Sequence, residues 1–264
     1  MQQNKWEIIT AIQKICRQVG AFQLKHFRAY APGLGEEKKA KEYVSRIDIE
    51  SEEMLKNGLH DICHEAGFYG EEGQRQRNYA LEWLVDPLDG TTNYLSGFDQ
   101  FTISVALVKQ GQPQLGVIYR PTSAEFFTAV RSQGAWHDQN MLPRQTEHHL
   151  SQSLISTGFP YRSQDLFENF FSCAQDVLRA SRGIRRTGSA ALDFAYIAAG
   201  YLQGFWEADL QPYDLAAGLL MLSETGCPYS TLRQKPYNIF EDRMIIAGLP
   251  GVHAELCAIV DRHY

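Results

Sequence analysis

The feature that most constrains this chain is a short apolar run at residues 81–85 (LEWLV), which passes directly into Asp86-Pro87-Leu88-Asp89-Gly90-Thr91-Thr92-Asn93. A run this short, bounded by turn formers, predicts a buried strand. Such a strand delivers Asp86 at its carboxyl end. Pro87 then fixes φ and Asp89 follows three residues on, so both carboxylates can turn toward one point. Gly90 permits close approach of the backbone to a ligand. Thr91 and Thr92 open a short helix whose free N–H groups would face an anion. Two carboxylates beside a phosphate-sized donor cup repel each other unless a cation sits there. Hard oxygen ligands of this kind suit Mg2+ shared with phosphate oxygens. For the spacing alone, the plainer reading is a D-x-x-D turn with an Asx cap.

Two further acidic clusters bear on that choice. Gly70-Glu71-Glu72 lies upstream at an expected strand end, and Pro212-Tyr213-Asp214 starts a strongly apolar helix, LAAGLLML. Asp at a helix start is ordinarily a cap or a dipole partner. Together, the three clusters could supply a two-metal site that clamps attacking and leaving oxygens.

Elsewhere the periodicity predicts mixed strands and helices. Trp6, Ile9, Ile12, Cys16, Val19 and Phe22 recur at helical steps, and a second helix runs from Asp48 as N-cap. Between them, GEEKKAKEY reads as a mobile loop. Residues 101–108 and 115–119 flank a hairpin turn, KQGQPQ, and residues 125–130 form a third strand before a loop, RSQGAWHDQN. Strands are expected at 154–157, 204–207 and 244–247, with helices at 164–179, 189–201, 212–225 and 251–261. This alternation suggests layered sheets and helices rather than a doubly wound sheet. Nothing forces a domain cut, so residues 1–264 are expected to form one domain, with possible sub-lobes at about 1–150 and 151–264.

Composition excludes several classes. With 14 Phe, 13 Tyr and 4 Trp in 264 residues, the chain is not a disordered, solvating polymer. A net charge of −6 supplies no global positive field, so neither direct nucleic-acid binding nor attraction to anionic lipid is expected. No segment approaches the roughly 18 apolar residues of a membrane helix, and the N-terminus has no signal-peptide run. Cys16, Cys63, Cys173, Cys227 and Cys257 are scattered singly, which fits reduced thiols and a cytoplasmic location. The eight histidines show no metal-ligand spacing. One local exception to the acidic balance is the cluster Arg179, Arg182, Arg185 and Arg186, readable as a solvated face, a dimer contact or a protein-binding surface.

The motifs 70–72, 83–93, Gly183-Ile184-Arg185-Arg186-Thr187-Gly188-Ser189-Ala190-Ala191 and 212–218, in this order, resemble the inositol monophosphatase family of Mg2+-dependent, lithium-sensitive phosphatases. The third block is most similar to bacterial members. The resemblance implies a mixed α/β (α+β) fold, a five-layered αβαβα sandwich of the inositol monophosphatase and fructose-bisphosphatase kind, usually a homodimer. It implies two to three Mg2+ per active site. Glu71, Asp86 and the Leu88 carbonyl would hold the first, Asp86, Asp89 and Asp214 the second, and Glu71 would contribute to a further, weaker one. Thr91, with Asp48 behind it, would position and activate the attacking water. The Gly90 and Thr91 amides would receive the phosphate, while Gly188, Ser189, Ala190 and Glu207 would line the leaving-group pocket. A mobile-loop lysine would be Lys38 or Lys39.

The implied activity is hydrolysis of inositol monophosphate or a related small polyol or sugar phosphate. Within the superfamily, fructose bisphosphate, adenosine bisphosphate, NADP and histidinol phosphate are rival substrates. The resemblance also leaves open a moonlighting role as a protein-binding factor, which some bacterial relatives play in ribosomal RNA antitermination. The segment after Asn93 departs from the family pattern, Tyr213 replaces a tryptophan, and Asp209 adds a charge near the presumed substrate rim. These departures bear on substrate choice rather than on the metal ligands.

Overall fold

Helix α1 (Lys5–His26) begins where the Asn4 side chain accepts the Trp6 N–H, and it buries Ile8, Ile9, Ile12, Cys16 and Val19 along one stripe. The structure, a computed structural model, describes residues 4–29, 36–39, 42–44, 46–73, 80–161 and 163–264. Strands β1 (Glu36–Lys39) and β2 (Glu42–Val44) pair antiparallel, where the sequence suggested a loop; Gly35, Ala40 and Lys41 of that stretch lie outside the described residues. Lys38 and Lys39 fall on β1 and their side chains lie outside the described set.

Helix α2 (Arg46–Ile62) lies beside α1, burying Ile47, Leu55 and Leu59. Both cover one face of a seven-stranded sheet whose strands run in chain order: β3 (Gly67–Gly70), β4 (Leu81–Asp89), β5 (Thr102–Lys109), β6 (Gln112–Arg120), β7 (Glu125–Val130), β8 (Gly134–His137) and β9 (Asn140–Met141). Only the β3–β4 pair is parallel. The short helix α3 (Thr91–Leu95) follows β4. RSQGAWHDQN is therefore not a plain loop, because it contributes β8 and part of β9. The β5–β6 turn is tighter than expected: Gln110 and Gly111, both at positive φ (49° and 76°), suffice, the two-residue arrangement that matches strand twist.

The second sheet has five strands in the order β11 (Gly183–Arg185), β10 (Leu154–Thr157), β12 (Gly204–Ala208), β14 (Met244–Gly248) and β13 (Tyr229–Ser230). β10 runs parallel to β11 and β12, and β14 runs antiparallel to β12. Helices α5 (Ala190–Ala198) and α6 (Pro212–Thr225) fill the space between the sheets, and α4 (Phe167–Ala180) and α7 (Val252–Val260) cover the outer face. The result is the expected αβαβα sandwich. The layers follow from side-chain alternation along buried strands. In β4 and β5, Trp83, Val85, Ile103 and Val105 pack with α1 and α2, whereas Leu84 and Ala106 face the core shared with α5 and α6. Each fully buried large apolar side chain of this kind contributes about 1.5–3 kcal/mol. A third, smaller core of Ile47, Leu88, Tyr94 and Phe101 lies beneath the 86–93 segment and anchors it. All five cysteines are buried free thiols. Among the described residues, no helix is long and apolar enough to cross a membrane.

Candidate active site

Parallel pairing of β3 with β4 sets Gly70 opposite Val85, so the next residues, Glu71 and Asp86, leave adjacent strands at the same carboxyl edge. β4 is longer than the apolar run suggested. It continues through Pro87 to Asp89, with the ladder irregular between Asp86 and Asp89. Gly90 follows at φ 101°, where a Cβ would lie 2.8 Å from the Gln100 carbonyl oxygen, so glycine alone fits. Two core helices add their N-termini. Ser189 caps α5, and Gln211 and Asp214 form a reciprocal capping box on α6.

These elements surround a cleft of about 520 Å3. Every residue singled out from the sequence lines it except Asp48, which stands behind its wall: Glu71, Asp86, Leu88, Asp89, Gly90, Thr91, Gly188, Ser189, Ala190, Glu207 and Asp214. Asp48 is not the N-cap of α2. It sits inside the first turn, 1% exposed, and its Oδ1 accepts the Thr91 hydroxyl at 2.7 Å.

The carboxylates are anchored singly. Asp86 Oδ1 accepts the Leu88 N–H at 2.9 Å, and Asp214 Oδ2 accepts the Gln211 N–H at 2.8 Å. Asp89 Oδ2 accepts both the Ser189 hydroxyl and the Ala191 N–H, each at 2.7 Å. Among the described residues, no three such side chains already form a closed metal cage. What they share is a strong negative field. Burial, then the charges of Glu71, Asp89 and Asp214, hold the Asp86 carboxyl well above the usual carboxylate range. Burial and the charge of Asp214 push Asp89 up to about 7, against the hydrogen bond from Ser189. A wall of hard oxygen donors that resist ionising together fits a divalent cation such as Mg2+, which would relieve that repulsion.

The opposite half of the cleft belongs to the five-stranded sheet. β10 and β12 are parallel, with Thr157 opposite Trp206, which brings Gly158 beside Glu207. A Cβ on Gly158 would overlap the Glu207 carboxyl. Burial holds the Glu207 carboxyl well above the usual carboxylate range, as does the neighbouring charge of Asp193, while Arg186 opposes the rise. Asp209, flagged as an extra charge, is neutralised: Arg243 grips it through two nitrogens at 2.6 and 2.9 Å.

Four residues of the site were not picked out individually from the sequence. Glu52, one turn beyond Asp48, accepts the Glu72 N–H at 2.8 Å and so holds the Glu71 loop. Gln23 of α1 donates to the Pro87 carbonyl at 2.7 Å, bracing the Asp86–Asp89 segment from behind. Asp193, buried in α5, accepts the Thr187 hydroxyl at 2.8 Å and lines the cleft. Arg186 belongs to both the third motif and the basic cluster, neither of which gives it a role in the site, yet it lines the cleft. A buried polar residue inside an amphipathic helix was the available signal for Gln23 and Glu52, but it does not say which loop is bound.

Residues 4–264 match the model of the inositol monophosphatase family. The chain is 38% identical over 223 residues to the inositol-1-monophosphatase of Rhizobium meliloti (strain 1021), covering 84% of each protein. It is 34% identical over 218 residues to the Nus factor SuhB of Xylella fastidiosa (strain Temecula1 / ATCC 700964), covering 83% of this chain and 79% of that protein. The crystal structure of the extragenic suppressor protein suhB from Bartonella henselae superposes with a TM-score of 0.91 at 32% identity, covering 97% of this chain and 99% of that one.

Proposed function

Since the chain belongs to the inositol monophosphatase family, we propose that it is a Mg2+-dependent phosphomonoesterase acting on inositol monophosphate or a related small polyol or sugar phosphate. The observation that carries this reading is the juxtaposition, in one cleft, of an acidic wall with the Gly90–Thr91 amides and the Asp48–Thr91 hydrogen bond. Glu71, Asp86, Asp89, Asp214 and the Leu88 carbonyl would hold two or three Mg2+. When bound, these ions would polarise the phosphoryl group, lower the pKa of water and neutralise the leaving alkoxide.

The protein groups then have separable tasks. The Thr91 hydroxyl has one proton, and Asp48 at 2.7 Å competes for it better than the Leu88 carbonyl at 3.1 Å, because the contact is shorter. The Thr91 oxygen is left as an acceptor toward the cleft, suited to orient a water and to take up its proton while its own proton passes to the Asp48 carboxylate. The Gly90 and Thr91 amides, at the start of α3, would receive phosphate oxygens. Gly188, Ser189, Ala190 and Glu207 would meet the hydroxyls of the leaving alcohol. Positioning and charge stabilisation would supply most of the rate, as is general for phosphoryl transfer.

Phosphate release from inositol 1-phosphate, fructose 1,6-bisphosphate, adenosine 3′,5′-bisphosphate, NADP and histidinol phosphate, with and without Mg2+, tests the reading. Turnover of at least one ester that disappears with chelator supports it; no turnover of any would overturn it. The relatives named Nus factor favour a second, compatible role as a protein-binding factor in transcription antitermination. A pull-down against the elongation machinery tests that role, and no retained partner would remove it. One domain spanning residues 1–264, assembled as a homodimer in the cytoplasm, completes the proposal.

A further inference from the structure

Among the described residues, the cleft is lined by seven acidic side chains and a single cation, Arg186. Four of the acids form the metal wall, and Asp209 is matched by Arg243. That leaves Arg186 facing Asp193 and Glu207 in the leaving-group half. An arginine recruited only as their counter-ion would close bidentate, charge-assisted bonds on a carboxylate. Arg186 closes none. Among the described residues its charge acts on Asp193 and Glu207 without a hydrogen bond to either, and its contacts are ring faces: its guanidinium carbon lies 5.5 Å from the Tyr161 ring centre and 5.9 Å from that of Phe159. The two rings hold the guanidinium over Gly188, where a Cβ would collide with Arg186 Nη1. Asp193 meanwhile takes its hydrogen bond from Thr187, and Glu207 lies against Gly158. The donor fork of Arg186 thus sits over two ring faces and keeps its N–H groups for a ligand.

Resting on the phosphatase reading above, we infer that Arg186 receives a second anionic group, a phosphate or a carboxylate, carried by the leaving group of the substrate. The site would hydrolyse one phosphate ester while gripping the molecule by its other charged end. Arg186 is then a specificity-determining residue, and doubly charged esters are preferred over esters whose leaving alcohol is neutral.

The test uses matched pairs: glucose 1-phosphate against glucose 1,6-bisphosphate, and glycerol 3-phosphate against 3-phosphoglycerate, with Mg2+. Each pair differs in the second charge, one supplying phosphate and the other carboxylate. The wild-type protein is expected to show a lower KM for the doubly charged member of at least one pair. In Arg186→Gln the KM ratio within that pair should shift by about tenfold or more against the charged member, the worth of a charge-assisted hydrogen bond; Arg186→Lys should recover part of it. Equal KM values within both pairs, or a ratio unmoved by Arg186→Gln, would overturn the inference while leaving the phosphatase reading intact. Calorimetry without Mg2+, using glucose 6-phosphate and glucose, reads the same contact without turnover. Tighter binding of the phosphate, lost in Arg186→Gln, supports it even if no ester is hydrolysed. Equal binding of the two counts against it.

Discussion

Asp89 and Ser189, one hundred positions apart, meet at 2.7 Å where the end of β4 faces the N-terminus of α5. The Ser189 hydroxyl donates to Asp89 Oδ2, its oxygen caps the Leu192 N–H at 3.3 Å, and the Ala191 N–H adds a second bond to the same carboxylate oxygen. A carboxylate at a helix N-terminus is stabilised by the free amides and dipole there. This contact ties the seven-stranded sheet to the helical layer and fixes how Asp89 faces the cleft.

Asp89→Asn should keep both of those bonds through its amide oxygen while removing one negative charge from the cleft. The expected outcome is an unchanged melting temperature and a fall in kcat/KM on the order of 10²–10³-fold. Steady-state phosphate release beside a thermal melt checks it; near-wild-type turnover would contradict the role proposed for Asp89.

Thr91→Ser keeps the hydroxyl that donates to Asp48, and Thr91→Val keeps the volume without it. Serine should hold kcat within about tenfold and valine should lose about 10²–10⁴-fold, the span expected for a group that handles a proton in the transition state. Asp48→Asn should fall on the valine side. Single-turnover rates at saturating Mg2+ separate this effect from weakened metal binding.

Glu52 touches the Glu71 loop through the Glu72 N–H and so acts at one remove from the chemistry. Glu52→Ala should raise the Mg2+ concentration for half-activation by about 10–100-fold, the usual cost of removing a group that orients a ligand. Glu52→Gln, which still accepts the N–H, should restore most of the affinity. Mg2+ titration followed by calorimetry checks both variants, and an unshifted metal affinity in Glu52→Ala would reject the positioning role.

His253 is buried in α7, where its Nε2 meets the Ser230 hydroxyl at 2.9 Å, and burial lowers its pKa below the ordinary value. The unfolded chain therefore binds a proton more readily than the native one. That contribution to stability is fully present above the unfolded pKa of about 6.5 and is lost as pH falls toward the lower native value. Melting temperature should drop between pH 7 and 5, and His253→Gln should flatten that slope.

Local pattern made some features legible and left others hidden. The apolar run at 81–85, the helical stripe of α1 and the LAAGLLML helix of α6 were readable because burial on one face writes a period into neighbouring residues. Local pattern reads Asp48 as a cap and only the family resemblance pairs it with Thr91, because Asp near a helix start looks the same whether it caps its own helix or accepts a bond from a threonine 43 residues away. Glu52 is hidden among other acids of α2 for the same reason: its partner lies in the loop that follows β3. Arg186 shared a basic segment with Arg179, Arg182 and Arg185, and nothing in its neighbours marks it as the one that turns inward.

The sequence by itself determined the elements and the chemistry at hand: strand-borne carboxylates, a glycine-opened helix, helix-start aspartates and the motif order that marks the family. Tertiary structure alone decided their convergence. Parallel pairing of β3 with β4 sets Glu71 beside Asp86, and parallel pairing of β10 with β12 sets Gly158 beside Glu207. Packing of α5 and α6 between the sheets brings in Ser189 and Asp214. Hydrogen-bond register and layer packing act between residues far apart in the chain, so no local pattern encodes which carboxylate faces which.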